Sequence, residues 1–207
     1  MQLVATVNKA KLDVFRWRCE LTIPRKILLA LGVAAMVGLL AQVRVILPWS
    51  PVPITGQTFA VLLAAILMGR WWGGISMAMY VALGAAGIPW FNGLTSGLGA
   101  TAGYMAGFIL AALFLGYFSD RYIRARGFTS MLGLMLTASL VIIYVPGLIW
   151  LSFWLNSTGI SWNMASLLAM GLTPFIVGDI TKSVLAAMAA RALTPKQSFN
   201  NEVDQER

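Results

Sequence analysis

Three ionisable side chains, Arg44, Asp179 and Lys182, interrupt stretches that are otherwise apolar. A charge surrounded by hydrocarbon costs about 3 kcal/mol or more, so such a residue normally turns inward and finds a partner. Asp179 and Lys182 are three residues apart, which places them on one face of a helix. The pair can join helices as polar glue, act as an acid and a base, or form the polar part of a ligand pocket. Gly178 directly precedes Asp179, and a missing side chain lets a ligand approach the backbone. For Arg44, anchoring at a membrane surface and a pocket role fit equally well. The chain has no histidine and one cysteine, Cys19, which excludes a disulfide framework and a Cys/His metal cluster. No nucleophile stands beside a base, which argues against an enzyme.

Aromatic and polar residues suited to a small-molecule site recur along the chain. Trp90, Phe91 and Asn92 follow one apolar run, and Tyr104, Tyr144 and Trp150 lie within others. Single Trp and Tyr residues are ordinarily membrane-interface belts, as Trp71 and Trp72 would be. Residues 50–58, Ser-Pro-Val-Pro-Ile-Thr-Gly-Gln-Thr, are different. They combine rigid prolines, a glycine and hydrogen-bonding side chains, among them Thr55 and Gln57. Irregular backbone at membrane depth is tolerated only where it is packed in protein or lines a cavity. A lid over a small-molecule site satisfies that condition.

The elements that must carry these residues are helices in a bilayer. The chain is 59% hydrophobic and 11% charged, against about 25% charged in soluble domains. Stretches of 17 to 25 residues lack any charge, enough to cross about 30 Å of hydrocarbon. The spans expected are Ile27–Leu47, Ile54–Met68, Gly74–Ile88, Leu98–Phe118, Thr129–Trp154 and Pro174–Arg191. Pro146 predicts a kink in the fifth. Thr173-Pro174 predicts an N-cap and a first-turn proline for the sixth. Trp162–Met170 is then a short surface helix. The first 26 residues, mixed and charged, carry no signal-peptide pattern.

Basic residues alternate between the connections. The N-terminal segment holds Lys9, Lys11, Arg16, Arg18, Arg25 and Lys26, the second-to-third turn Arg70, the fourth-to-fifth loop Arg121, Arg124 and Arg126, and the C-terminal end Arg191, Lys196 and Arg207. The three other loops hold none. This asymmetry predicts both termini in the cytoplasm. The net charge of +8 flanks apolar runs in this way, so no nucleic-acid partner is expected. The expected fold is an all-α membrane protein, a bundle of six transmembrane helices. Residues 1–26 form a basic cytoplasmic tail, 27–192 the membrane domain and 193–207 a second cytoplasmic tail.

Four segments together resemble the BioY family. They are Pro51-Val52-Pro53-Ile54-Thr55-Gly56-Gln57-Thr58; Tyr80 with Leu83-Gly84-Ala85-Ala86-Gly87-Ile88-Pro89-Trp90-Phe91; Thr101 with Gly103-Tyr104 and Gly107-Phe108; and Pro174-Phe175-Ile176 with Gly178-Asp179 and Lys182. The resemblance implies the biotin-binding S component of an energy-coupling-factor (ECF) transporter, multi-pass in a bacterial-type inner membrane. It implies partners too: a transmembrane coupling subunit and two ATPase subunits, with no cofactor on this chain and no Walker motif of its own. Ala30, Ala34 and Gly38, a small-residue strip on the first span, match the family's docking surface.

Biotin offers two ureido N–H donors, a carbonyl and a carboxylate on an apolar frame. Asp179 and Lys182 are then expected to recognise its polar groups, with Asn92 as a further hydrogen-bonding residue. Trp90, Phe91, Tyr104 and Tyr144 would be walls, and Thr55 and Gln57 would act from the lid. Gly99-Ala100-Thr101-Ala102-Gly103-Tyr104 departs from the family's Gly-Pro-Thr-Gly-Gly-Tyr-like string, and Asn92–Thr101 lacks the arginine that some members carry. Lys182 or Arg44 is left to meet the carboxylate. An S component for another vitamin and a purely structural membrane subunit are the alternatives.

Overall fold

The structure, a computed structural model, describes residues 2–199 and 202–204, with side chains from residue 6 onward. Arg207, counted above among the basic residues, lies outside the described residues. The elements are α1 (Gln2–Glu20), α2 (Ile23–Gln42), β1 (Arg44–Val45), β2 (Ile54–Thr55), α3 (Gln57–Ala85), α4 (Ala102–Arg121), α5 (Phe128–Thr137), α6 (Tyr144–Ser157), α7 (Met164–Gly171) and α8 (Ile176–Leu193). A π turn over Ala138–Ile143 joins α5 to α6, so the helix runs on from Phe128 to Ser157. Pro146 lacks the N–H that would reach back one turn, and the irregularity expected there takes the form of this wide turn just before it.

Among the described residues, five helical stretches are long and apolar enough to cross a membrane: Ile23–Gln42, Gln57–Ala85, Ala102–Arg121, Phe128–Ser157 and Met164–Leu193. The second and third expected spans are the two legs of α3. Gly69 breaks α3 with φ 74° and ψ 179°, a conformation open to glycine. A Cβ built on Gly73 would lie 3.2 Å from the Cα of Ala65. Eight residues along a straight helix would separate them by about 12 Å. The legs therefore fold back on each other.

Side chains from distant segments hold this reversal. Arg18 of α1 donates to the Leu67 carbonyl at 2.6 Å, at the end of the first leg, and pairs with Asp120 at 3.2 Å. Asp120 accepts the Arg70 N–H at 2.8 Å, at the start of the second leg. Orphan carbonyls and N–H groups at two helix ends are thus satisfied together.

Several expectations are corrected here. Residues 2–20, expected as part of a tail, form α1, which buries Leu12 and Phe15. The first span ends at Gln42 rather than Leu47, because β-branched Val43 and Val45 take extended backbone and Arg44 pairs with Thr55 in a short antiparallel hairpin. Arg44 thus lies outside the spans. Thr173 does not cap α8: its hydroxyl donates back to the Leu168 carbonyl, and Thr173–Phe175 is a 3-10 turn. Trp162 precedes the short surface helix, which Asn163 caps through a reciprocal pair of bonds with Ser166. The strip Ala30, Ala34 and Gly38 is buried, with Gly38 against Trp90, so it packs into this chain rather than facing a partner.

The C-terminal segment packs on the connection between α4 and α5. Arg126 and Glu202 form a fully buried ion pair at 2.6 Å, and Arg126 also donates to the Ser119 and Gln197 carbonyls. Phe199 packs against Phe15 of α1, the rings tilted by 59° with centroids 5.2 Å apart.

Candidate ligand-binding cleft

The cleft opens at the end of the bundle opposite the Gly69 reversal. It lies beneath the hairpin of residues 43–56, between α4, the π turn, α6 and α8. Its polar side is built on α8. Asp179 is buried and pairs with Lys182, one helical step away, as the spacing predicts. The other carboxylate oxygen of Asp179 accepts the Tyr144 hydroxyl across the bundle. Lys182 also donates to the Thr55 carbonyl at 3.0 Å. The carboxylate is therefore held between two donors on two helices, and the ammonium between α8 and the lid.

A chain of bonds continues under the lid. The Thr55 hydroxyl donates to the Gln57 side-chain carbonyl at 3.0 Å, and the Gln57 amide donates to the Tyr80 hydroxyl at 2.6 Å. Ser50 fastens the other edge of the loop, donating to the Met170 carbonyl at 2.6 Å. The apolar walls are Tyr104, Met105, Phe108, Ile143, Tyr144 and Phe175. Tyr104 and Tyr144 meet edge to face, 6.0 Å between centroids, and the Tyr104 hydroxyl donates to the Gly171 carbonyl. Gly103 and Gly147 let α4 and α6 approach closely enough for this: a Cβ on Gly103 would strike Trp150 and the Pro146 carbonyl, and one on Gly147 would strike the Tyr104 ring.

Seven of the ten expected ligand contacts come together here. Asp179, Lys182, Asn92, Tyr104, Tyr144, Thr55 and Gln57 all line the cleft. Three do not. Trp90 packs on Gly38 and donates its indole N–H to the Tyr80 carbonyl, and Phe91 is buried against Gly84 and Tyr80. Both are core residues, because Gly38 and Gly84 leave the space that they fill. Arg44 lies over Gly93, away from the cleft lining. The lining also includes Thr58, Thr101, Phe108, Phe175, Met105 and Ile143. The first four stood in the quoted family strings without being singled out. Met105 and Ile143 carried no signal, since apolar residues within spans look alike.

The cleft has about 50 Å³ of free volume, room for a few waters at about 10–15 Å³ each.

A sequence model of the BioY family matches residues 9–198. The chain belongs to the BioY family. It is similar to the probable biotin transporter BioY of Methanothermobacter thermautotrophicus, at 52% identity over 147 residues, covering 69% of this chain and 94% of that one. It is also similar to the biotin transporter BioY of Thermotoga maritima, at 34% identity, covering 71% of this chain and 83% of the relative. A crystal structure of the S-component for biotin from an ECF-type ABC transporter shares the fold. The TM-score is 0.72 at 24% identity, covering 84% of this chain and 94% of that structure. This is a transporter family rather than an enzyme family. With five apolar helices of spanning length, this BioY-family chain is a multi-pass membrane protein.

Proposed function

We propose that this chain is the S component of an ECF-type transporter, binding biotin in the cleft under the hairpin. The observation that carries the proposal is the placement of one buried carboxylate and one ammonium at the base of an otherwise aromatic and aliphatic cleft. Asp179 accepts from a ureido N–H, and Lys182 donates to the ureido carbonyl or the carboxylate. Tyr104, Phe108, Phe175 and Ile143 enclose the apolar frame. Asn92, Thr55 and Gln57 contribute hydrogen bonds from the rim.

Lys182 is the one cation among the described lining residues. A single positive charge against a neighbouring aspartate suits a ligand with one carboxylate. This favours biotin over more heavily charged vitamins and takes over the role left open between Lys182 and Arg44.

The proposed topology has six crossings, the two legs of α3 counting separately. Both termini lie in the cytoplasm, consistent with the alternation of basic residues. The membrane is the bacterial-type inner membrane. Delivery inward needs a coupling subunit and ATPase subunits, since this chain carries no nucleotide-binding motif.

Isothermal titration of purified protein with biotin tests the assignment. Saturable binding near neutral pH is expected, and folded protein that fails to bind would sink it. Co-purification of ATPase subunits with the tagged chain tests the partnership separately.

A further inference from the structure

We infer that the end of the bundle carrying both termini holds an anionic phospholipid, clasped between α1, α8 and the start of α5. A cleft of about 570 Å³ opens there, lined by Asn8 and Lys11 of α1, Phe128 of α5, Met188 and Arg191 of α8, and Lys196 just beyond it. Three cations converge on it, and no acidic residue is among its described lining residues. None of the three has an ion-pair partner among the described residues. The neighbouring arginines do: Arg18 has Asp120, Arg124 has Asp204 and Arg126 has Glu202. Lys11, Arg191 and Lys196 are therefore a separate positive field against an apolar floor of Phe128 and Met188.

Lys11 also borders a second groove of about 500 Å³, whose walls are almost wholly apolar. Val7, Val14 and Trp17 of α1 line it, opposite Leu29 and Leu193. These α1 side chains recur on one helical face and are roughly half exposed or more. They form an exposed stripe that borders the buried Phe15, which lines the same groove, while Leu12 faces the bundle. Asn8 lines the same cleft as Arg191, and Arg18 bonds the Leu67 carbonyl. Both places lie at the same end of the bundle, so α1 runs across that end. A helix with an apolar stripe, a tryptophan and flanking basic residues, held across the end of a bundle of spans, sits in the membrane interface.

The two clefts share Lys11 and differ in chemistry, one cationic and one apolar. That is the complement of a single amphiphile with a phosphate head and acyl tails. Basic pockets beside transmembrane helices bind anionic lipid headgroups by this means.

The test presents full-length protein in nonionic detergent with phosphatidylglycerol and phosphatidylcholine at equal mole fraction, and reads retained lipid by native mass spectrometry. Phosphatidylglycerol is expected to be retained at least tenfold over phosphatidylcholine. Lys11→Gln, Arg191→Gln and Lys196→Gln should each reduce that preference about fivefold. Arg191→Gln and Lys196→Gln change exposed side chains, so their effects are readable even if Lys11→Gln fails to fold. Equal retention of the two lipids, or an unchanged preference in these variants, would overturn the inference. Displacement of the lipid by millimolar glycerol phosphate would assign the site to a soluble phosphate instead. A protein partner that binds equally in both lipids and is lost in the variants would assign it to protein. Biotin binding is read separately, so neither result decides the other.

Discussion

The Lys182 ammonium donates to the carbonyl oxygen of Thr55 at 3.0 Å, so a side chain of α8 fastens the loop that covers the cleft. The same ammonium pairs with Asp179. In the proposed function one cation both holds the lid and meets the ligand, and a ligand carboxylate would compete with the Thr55 carbonyl for it.

Lys182→Met keeps the apolar stem and removes the charge. Hydrogen bonds to charged groups contribute about 1.5–3 kcal/mol, so biotin affinity should fall at least tenfold by isothermal titration. Unchanged affinity would remove Lys182 from ligand recognition.

Tyr144→Phe and Asp179→Asn separate the two partners of the buried carboxylate. Tyr144→Phe deletes one donor and should cost about 1 kcal/mol of stability, with a several-fold loss of affinity. Asp179→Asn leaves the Lys182 charge without its counter-ion. Breaking a buried pair from one side costs about 3–5 kcal/mol, so a lower melting temperature and lost biotin binding are expected while expression persists. Excess biotin should raise the wild-type melting temperature and leave that of Asp179→Asn unmoved. Unfolding with undiminished affinity in the surviving protein would make the pair structural only.

Gly147→Val would place methyl groups on the Tyr104 ring. Overpacking of this kind costs about 1–3 kcal/mol and shifts a cleft wall, so thermal stability and biotin affinity should fall together. Gly133→Ala is the control: nothing lies within 4 Å of its added methyl. Within a helix the exchange should be neutral or stabilise by up to about 1 kcal/mol. Equal melting temperatures for the two variants would refute the close crossing of α4 and α6.

Arg126→Met and Glu202→Gln probe the buried pair that holds the C-terminal segment. Each alone should lower stability by about 3–5 kcal/mol. The double variant should lose less than the two combined, because neither charge is then left unpaired. A thermal double-mutant cycle checks this, and additive losses would show that the two side chains act independently.

Much of this arrangement was legible from residue types and spacing. Asp179 and Lys182 were visible because charges are costly among apolar residues, and their three-residue separation fixes their common face. The lid was visible because prolines and polar residues cannot lie in lipid unsupported. The α3 reversal was half visible: Gly69-Arg70 marked a turn, but the clamp by Arg18 and Asp120 joins segments far apart in the chain, beyond any local pattern. Trp90 and Phe91 were misplaced for a similar reason. An aromatic beside a cleft and an aromatic filling the space over a glycine look the same in sequence. The strip Ala30, Ala34 and Gly38 identified a smooth face correctly, yet spacing alone does not say which neighbour that face meets. Here its Gly38 meets Trp90.

The first leg of α3, Gln57–Met68, is about 18 Å long at 1.5 Å per residue. That is well short of the roughly 30 Å of a hydrocarbon core. In the proposed topology the hairpin above it therefore hangs below the outer face, and the Asp179–Lys182 pair with it. If biotin is captured there, capture already moves it part of the way in. The energy-consuming step then has a shorter distance left to cover, and much of the vitamin's dehydration is complete before any nucleotide is hydrolysed.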